Sequence, residues 1–309
     1  MLDLQRPVIC VVGPTASGKS DVAQKLATLL DGEVVSADSM QIYRGMDIGT
    51  GKVLPHERVV PHFGLDLVDP GEPYSAALFQ NYARSCFVDI DARHHVPILC
   101  GGTGFYVRAA IDAYEFPQGE QVENPVRERY KQMAREQGAQ AVWEELQARD
   151  PQSAAVVHPH NVKRVIRALE LLEAGESYAR QVEKLRVLPQ AVPAQFFGLQ
   201  VDPELLRRRI DARVDRMVQN GLVDEVRTLL EGGFREGITA PQAIGYKEIV
   251  AALDGECSMD EAIDNIKNAT RRYAKRQRSW FRQDKRITWV DADSGDVSAL
   301  AHACFASLI

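Results

Sequence analysis

The feature that most constrains this chain is the stretch VVGPTASGKS, Val11 to Ser20. It follows the apolar run Pro7 to Val12, which reads as a buried strand, and it leads into KSDVAQKLATLL, which reads as a helix. Gly13 to Ser20 fits G-x-x-x-x-G-K-[ST], a phosphate-binding loop. In that pattern the glycines turn backbone N–H groups inward, the lysine adds a point charge, and the serine hydroxyl can ligate Mg2+. The positive end of the following helix faces the same anion. A loop of this kind sits at the carboxyl end of a strand in a parallel sheet, so it fixes an α/β core before any other element is placed.

The remaining pattern extends that core and then interrupts it. EVVSAD reads as a second strand, HFGLDLVD (62–69) as a third, and VPILCGG as a fourth, with a helix from Tyr74 to about His94 and another from TGFYVRAA. From about Phe116 to Leu188 only helical patterns occur: NPVRERYKQMAREQ, QAVWEELQAR and HNVKRVIRALELLEAG. A strand returns at AQFFGLQV. The next helix has Asp202 as N-cap, Pro203 in its first position and Gly221 beyond its end. Ser258 and Glu261 form a capping box opening a helix expected to run to Asp284, roughly 40 Å long, and RITWVDAD closes as a strand. The expected fold is α/β, a P-loop NTPase-like parallel sheet core with an inserted all-helical domain. Residues 1–115 and 191–309 form the core and 116–190 the insertion.

Charge is unevenly distributed. The chain has a net charge of −6, yet TRRYAKRQRSWFRQDKR, Thr270 to Arg286, carries eight Lys or Arg against one Asp. A basic segment on an acidic body points to a localised polyanion contact. Arg271, Lys275, Arg278 and Arg282 fall within an arc of about 60° on one helix, spaced to follow a phosphate backbone; the alternative is a solvated basic face. Ile266, Tyr273 and Trp280 are expected on the opposite, packing side. Lys163, Arg164 and Arg167 form a second basic patch, on a helix whose Val165, Ile166 and Leu169 read as buried. The five cysteines are scattered without a C-x-x-C pair, which suggests neither zinc nor disulfides and a reducing cytosol. The amino-terminal residues read as a strand and not as a signal peptide, and no apolar run is long enough to span a membrane.

Three further positions draw attention. An ATP-hydrolysing P-loop protein usually holds Mg2+ with an Asp ending an apolar strand. VPILC ends instead in Gly101-Gly102-Thr103-Gly104, built either for close approach of a ligand or backbone or as a tight turn, with Thr103 placed as a helix N-cap. Asp66 and Asp69 are weaker substitutes. Asp38, after the second strand, would face the ligand crevice, where it can reach Mg2+ through water or take a proton; the alternative is a cap or turn acid. Arg213 stands seven residues after Leu206, inside the stripe Leu206, Ile210, Val214 and Met217. A charge there must meet an anion, snorkel out, or form a structural salt bridge. On these residues alone, an ATP-using small-molecule kinase and an RNA-binding NTPase switch stay open, as does ATP occupancy of the loop.

The set GPTASGKS, SADSMQIYRGMDIGTGK, GGTGFYVRA, KRVIRALE, AIGYKEI and YAKRQRSWFR, in order from about Val8 to Val290, resembles the tRNA dimethylallyltransferases, also called tRNA isopentenyltransferases. The resemblance implies a prenyltransferase. It would move a dimethylallyl group from dimethylallyl diphosphate to the N6 amine of the adenosine 3′-adjacent to the anticodon, position 37 of tRNA. It implies that Gly13, Thr15, Ala16, Ser17, Gly18, Lys19 and Ser20 hold the diphosphate with Arg213, that Asp38 is the general base, and that Lys19 and Arg213 act on the leaving group. Mg2+ is the implied cofactor, on Ser20 and on Asp38 through water. Asp38, Ser39, Met40, Gln41, Thr103 and Arg127 match tRNA contacts. So do Val162, Lys163, Arg164, Val165 and Ile166, and Gln242, Ala243, Ile244, Gly245, Tyr246 and Lys247. The basic ridge is expected to join them, with the insertion gripping the anticodon stem-loop. His160-Asn161 departs from a frequent Asn-Asp pair of the family. A cytoplasmic monomer is expected.

Overall fold

A computed structural model describes residues 2–116 and 124–306. The chain divides into two compact units, Met1–Asp112 with Gln190–Ile309, and Ala113–Pro189. Residues 117–123, assigned from sequence to the start of the insertion, lie outside the described residues.

The first unit is a parallel sheet covered on both faces. Its strands are β1 (Val8–Val12), β2 (Gly32–Ser36), β3 (His62–Phe63), β4 (Val96–Gly101), β5 (Ala194–Gln200) and β6 (Ile287–Asp291), in the order β3-β2-β4-β1-β5-β6. Every residue of β1, β2 and β4 is buried, as expected of central parallel strands with helices on both sides. In β1, Cys10 lies between Leu99 and Phe196. Alternation then sorts side chains between two cores. Ile9 and Val11 pack with Val22 and Leu26 of α1 (Lys19–Leu30), Leu206 and Ile210 of α8 (Pro203–Gln219), and Leu300 of α12 (Val297–Ala306). Val8, Cys10 and Val12 pack with Phe79 and Phe87 of α2 (Ala76–Ala92) and Tyr106 of α3 (Gly104–Ile111). Burying each such large apolar side chain contributes roughly 1.5–3 kcal/mol. A third core joins Ile42, Tyr43 and Met46 to α9 (Leu222–Glu231), α10 (Tyr246–Leu253) and the start of α11 (Met259–Phe281). It anchors the loop after β2.

The third strand is shorter than expected. Only His62 and Phe63 pair with β2; Asp66 then adopts φ 55°, and Val68 bridges to Tyr43 outside the sheet. The basic helix α11 ends at Phe281 and not at Asp284. The helix α12 carries no anticipated signal.

The second unit is helical: α4 (Pro125–Arg149), α5 (Pro151–Val156), α6 (Val162–Glu173) and α7 (Tyr178–Arg186). Asn124 caps α4 and Pro125 opens it. Gly138, at φ 89° and ψ 168°, breaks α4 into two helical segments. Tyr130, Val142, Leu146, Val165, Ile166 and Leu169 form its core.

Candidate active site

A cavity of about 460 Å³ opens at the carboxyl ends of β1, β2 and β4. Thr15, Lys19 and Ser20 line it from the loop after β1, Ser36 and Asp38 from the end of β2, and Cys100 to Gly102 from the end of β4. Arg213 of α8 and Tyr273 of α11 close its far wall.

The loop after β1 is shaped as an anion cradle. Gly18 caps α1 at φ 86°, a left-handed conformation that favours glycine. Among the described residues, the backbone amides of Ala16 through Ser20 meet no protein acceptor, whereas the Thr15 amide donates to Gln277 Oε1 at 2.8 Å. Lys19 Nζ donates to Pro14 O at 2.7 Å. Burial pushes Lys19 down to about 8; Arg213 adds to the fall, while Cys100 and Asp38 oppose it. Arg213 Nη2 donates to Thr50 O at 3.2 Å, and burial also lowers this guanidinium, against the pull of Asp38. Neither cation forms an ion pair among the described residues, so the salt-bridge reading of Arg213 falls away. Two cations drawn from water without a counter-ion are costly unless an anion joins them.

The approach of Arg213 depends on the loop GTGK. A Cβ on Gly51 would lie 2.0 Å from Arg213 Nη2. That loop is pinned by Glu225, whose carboxylate accepts from the amides of Asp47 (3.1 Å), Ile48 (2.7 Å) and Gly49 (3.1 Å) and from the Tyr246 hydroxyl (2.6 Å). Lys52, buried, pairs with Asp47 and with Asp66 at 2.6 Å, and Asp69 pairs with Arg44 at 3.0 Å. Both alternative metal-binding acids are therefore committed elsewhere.

Asp38 is half-buried in the cavity wall. Its Oδ1 accepts from Met40 N at 2.9 Å, as the turn reading has it, and the other carboxylate oxygen has no protein partner among the described residues. Burial first, and the Asp38 carboxylate second, push the Tyr273 phenol up to about 12, so it stays a donor.

Several residues matched to RNA contacts make structural contacts within the chain. Thr103 precedes α3 but makes no side-chain cap; its Oγ1 accepts from Ser39 N at 3.0 Å and so orders the residue beside Asp38. Gln41 bridges Ser36 Oγ (2.8 Å) to the Gly51 carbonyl (3.3 Å). Tyr246 is fully buried and seats in the third core. Val165 and Ile166 are buried in the insertion's own core, and Arg127 is engaged with buried Glu170 at 2.5 Å. Ser39, Met40, Gln41, Gln242, Ala243, Ile244, Gly245 and Lys247 line the cavity. Val162 is half-buried, and Lys163 and Arg164 are exposed on α6.

The basic ridge lies on the side of α11 opposite the cavity. The cavity face is Ile266, Thr270, Tyr273 and Gln277, at spacings of four, three and four. Arg271, Lys275, Arg278 and Arg282 line a separate depression of about 400 Å³, with Arg207 and the apolar Leu206, Ile210 and Ala274. Arg271 is held by Asp211 at 2.9 and 2.5 Å, which removes it from the ridge as a free cation. Arg272 and Arg276, not singled out from sequence, join Lys247 as exposed cations lining the cavity. Trp280 does not pack as expected: it is 38% exposed and covers Gly104, where a Cβ would lie 2.1 Å from the indole. The glycine run thus serves close approach by protein groups, since a Cβ on Gly101 would lie 2.2 Å from Ala37 O.

Comparison with known proteins identifies the family. The IPP transferase family model matches residues 41–284, and the isopentenyl transferase model matches residues 7–59. A tRNA dimethylallyltransferase of Geobacillus thermodenitrificans is 46% identical over 285 residues, covering 92% of this chain and 90% of the relative. A crystal structure of the tRNA isopentenylpyrophosphate transferase of Bacillus halodurans is 38% identical, with a TM-score of 0.71 over 98% of this chain and 97% of that one. A eukaryotic dimethylallyltransferase, captured acting on tRNA, superposes with a TM-score of 0.79 at 28% identity, over 96% of this chain and 76% of that one. With its phosphate loop, its Asp38 and two uncompensated cations in one cavity, the chain belongs to the tRNA dimethylallyltransferase (IPP transferase) family.

Proposed function

We propose that this chain transfers a dimethylallyl group from dimethylallyl diphosphate to the N6 amine of adenosine 37 of tRNA, releasing diphosphate. The observation that carries this reading is the pair Lys19 and Arg213, half-buried in one cavity with Asp38 and, among the described residues, without an ion-pair partner. The allylic C–O bond breaks and its electron pair leaves with the diphosphate. The amine nitrogen forms the new C–N bond and gives up a proton. Asp38 orients the amine and takes that proton. Lys19, Arg213 and the open amides of Ala16 to Ser20 stabilise the charge growing on the leaving group.

The donor set also fits Mg2+. Ser20 and Asp38 supply hydroxyl and carboxylate oxygens at the cavity wall. Among the described residues no cluster of three His, Cys, Asp or Glu could cage a metal, which suits a cation that takes most of its ligands from substrate phosphate and water. Bound there, it would add positive charge at the leaving oxygens.

The adenine has to leave its stack to enter a cavity of this kind. Arg272 and Arg276 at the cavity, with Lys163 and Arg164 on α6, are the cations we assign to the RNA backbone. Lys275, Arg278 and Arg282 are assigned a contact away from the reacting base. Neutralising Lys275 and Arg278 together should flatten the slope of log K against log salt by about one to two units. An unchanged slope in a filter-binding titration removes the ridge from the RNA interface.

Following labels tests the reaction itself. Label on the dimethylallyl carbon should enter tRNA, and label on the diphosphate should appear in free diphosphate in equal amount, without ATP. A requirement for ATP hydrolysis, or phosphate label in the RNA, refutes the reading and makes the loop a kinase or NTPase site.

A further inference from the structure

Gln277 is an uncharged polar side chain, 5% exposed, set among the cavity-facing residues of α11. Both ends of its carboxamide are committed. Oε1 accepts from Thr15 N at 2.8 Å, and Nε2 donates to Gly102 O at 2.9 Å. A Cβ on Gly102 would lie 2.2 Å from Nε2, so the glycine makes this approach possible. The residue therefore joins the phosphate loop, 262 positions away in sequence, to the end of β4, 175 positions away.

The consequence lies in the shape of the cradle. Its open amides run from Ala16 to Ser20 and end at the amino terminus of α1. Thr15 N–H, the next donor along the loop, is already taken. At that end the cavity meets a carboxamide oxygen, an acceptor, where a phosphate needs a donor. The open amides with Lys19 and Arg213 are the donors left for a diphosphate. A third phosphate extended past the Thr15 end would meet acceptor against acceptor and gain no hydrogen bond there. A site whose polar groups are already paired discriminates against a ligand needing them.

Resting on the diphosphate reading of the cradle, we propose that Gln277 is a specificity-determining residue. It stops the phosphate loop at Thr15, so that the loop takes a diphosphate and rejects a triphosphate such as a nucleoside triphosphate. Gln277 touches no reacting atom; it acts through Thr15 and Gly102.

The test is calorimetric titration of the full chain, with Mg2+ present, using inorganic pyrophosphate and inorganic tripolyphosphate as probes, and ATP as a third arm. The wild type should bind pyrophosphate more tightly than tripolyphosphate. Gln277→Ala and Gln277→Met should each shift that ratio toward tripolyphosphate by about 10- to 100-fold, the worth of one charge-assisted hydrogen bond released to the ligand. Gln277→Met keeps the volume without the hydrogen bonds, so it decides if the alanine variant fails to fold. A ratio unchanged in a folded variant, or a wild type that binds both probes equally, overturns the role of Gln277. A wild type that binds neither probe overturns the diphosphate reading beneath it, a result that the variants cannot mimic.

Discussion

Asp38→Asn should fold, bind both substrates and turn over about 10² to 10⁴ times more slowly, the usual loss when a general base is removed. The variant is chosen for what it keeps. An Asn oxygen can still accept from Met40 N, the 2.9 Å bond that sets the turn after β2, so the loop and the Ser39 amide held by Thr103 should stay in place. What is lost is the proton acceptor and one negative charge facing Lys19, Arg213 and Tyr273. Losing that charge removes an attraction that competes with the diphosphate for the two cations. The dimethylallyl diphosphate KM should therefore hold or fall while kcat collapses. Single-turnover assays with unmodified tRNA, beside equilibrium binding of each substrate, separate the two quantities. Near-normal turnover at saturation would refute the base assignment and leave Asp38 as a positioning or metal-linked residue.

What the sequence made legible follows a physical division. The loop at Gly13 to Ser20 was readable because local geometry alone dictates it: strand, glycines, lysine, helix. Arg213 was readable because a charge in an apolar stripe is a conflict that an anion, a salt bridge or snorkelling must resolve, and among the described residues the cation has no carboxylate partner. The same reasoning would have found Gln277, a polar residue in register with Ile266, Thr270 and Tyr273. It was passed over because the charges of α11 drew attention to the opposite face. The third strand was overcalled because LDLVD alternates like a half-buried strand. Only the tertiary bonds of Asp66 to Lys52 and Val68 to Tyr43 turn it away from the sheet. Glu225 had no signal at all. An exposed-looking acid on a helix gives no hint that three amides from a loop 176 to 178 residues away will converge on it. Two of the segments matched by resemblance, Asp38 to Gln41 and Gln242 to Lys247, border the cavity, but resemblance could not tell lining residues from their supports. Gln242 and Lys247 line the wall, while Tyr246 between them fills the core behind it.

Lys19→Ala should lower kcat by about 10² to 10³, the typical cost of removing one donor from a preorganised charge-stabilising site. Arg213→Ala should do likewise, with little effect on tRNA affinity if Arg213 serves the diphosphate as proposed. The double variant should lose less than the product of the two, since both cations act on one leaving group. The pH profile adds a signature that a merely structural lysine would not give. Burial holds Lys19 down at about 8, so in the free enzyme its charge is complete well below that pH and is lost as pH rises through it. For the prenyl diphosphate, kcat/KM should then fall above about pH 8, by up to tenfold per pH unit, because only the protonated form binds the anion well. A bound diphosphate supplies the missing counter-ion and raises the lysine again, so kcat at saturation should hold to higher pH. Lys19→Arg, charged throughout this range, should abolish the alkaline fall in kcat/KM even if its absolute rate is lower. An identical alkaline limb in wild type and Lys19→Arg would show that another group titrates there. A Lys19→Ala enzyme with near-normal kcat would show that the departing diphosphate does not depend on this cation, and the cradle would then bind substrate without assisting the bond that breaks.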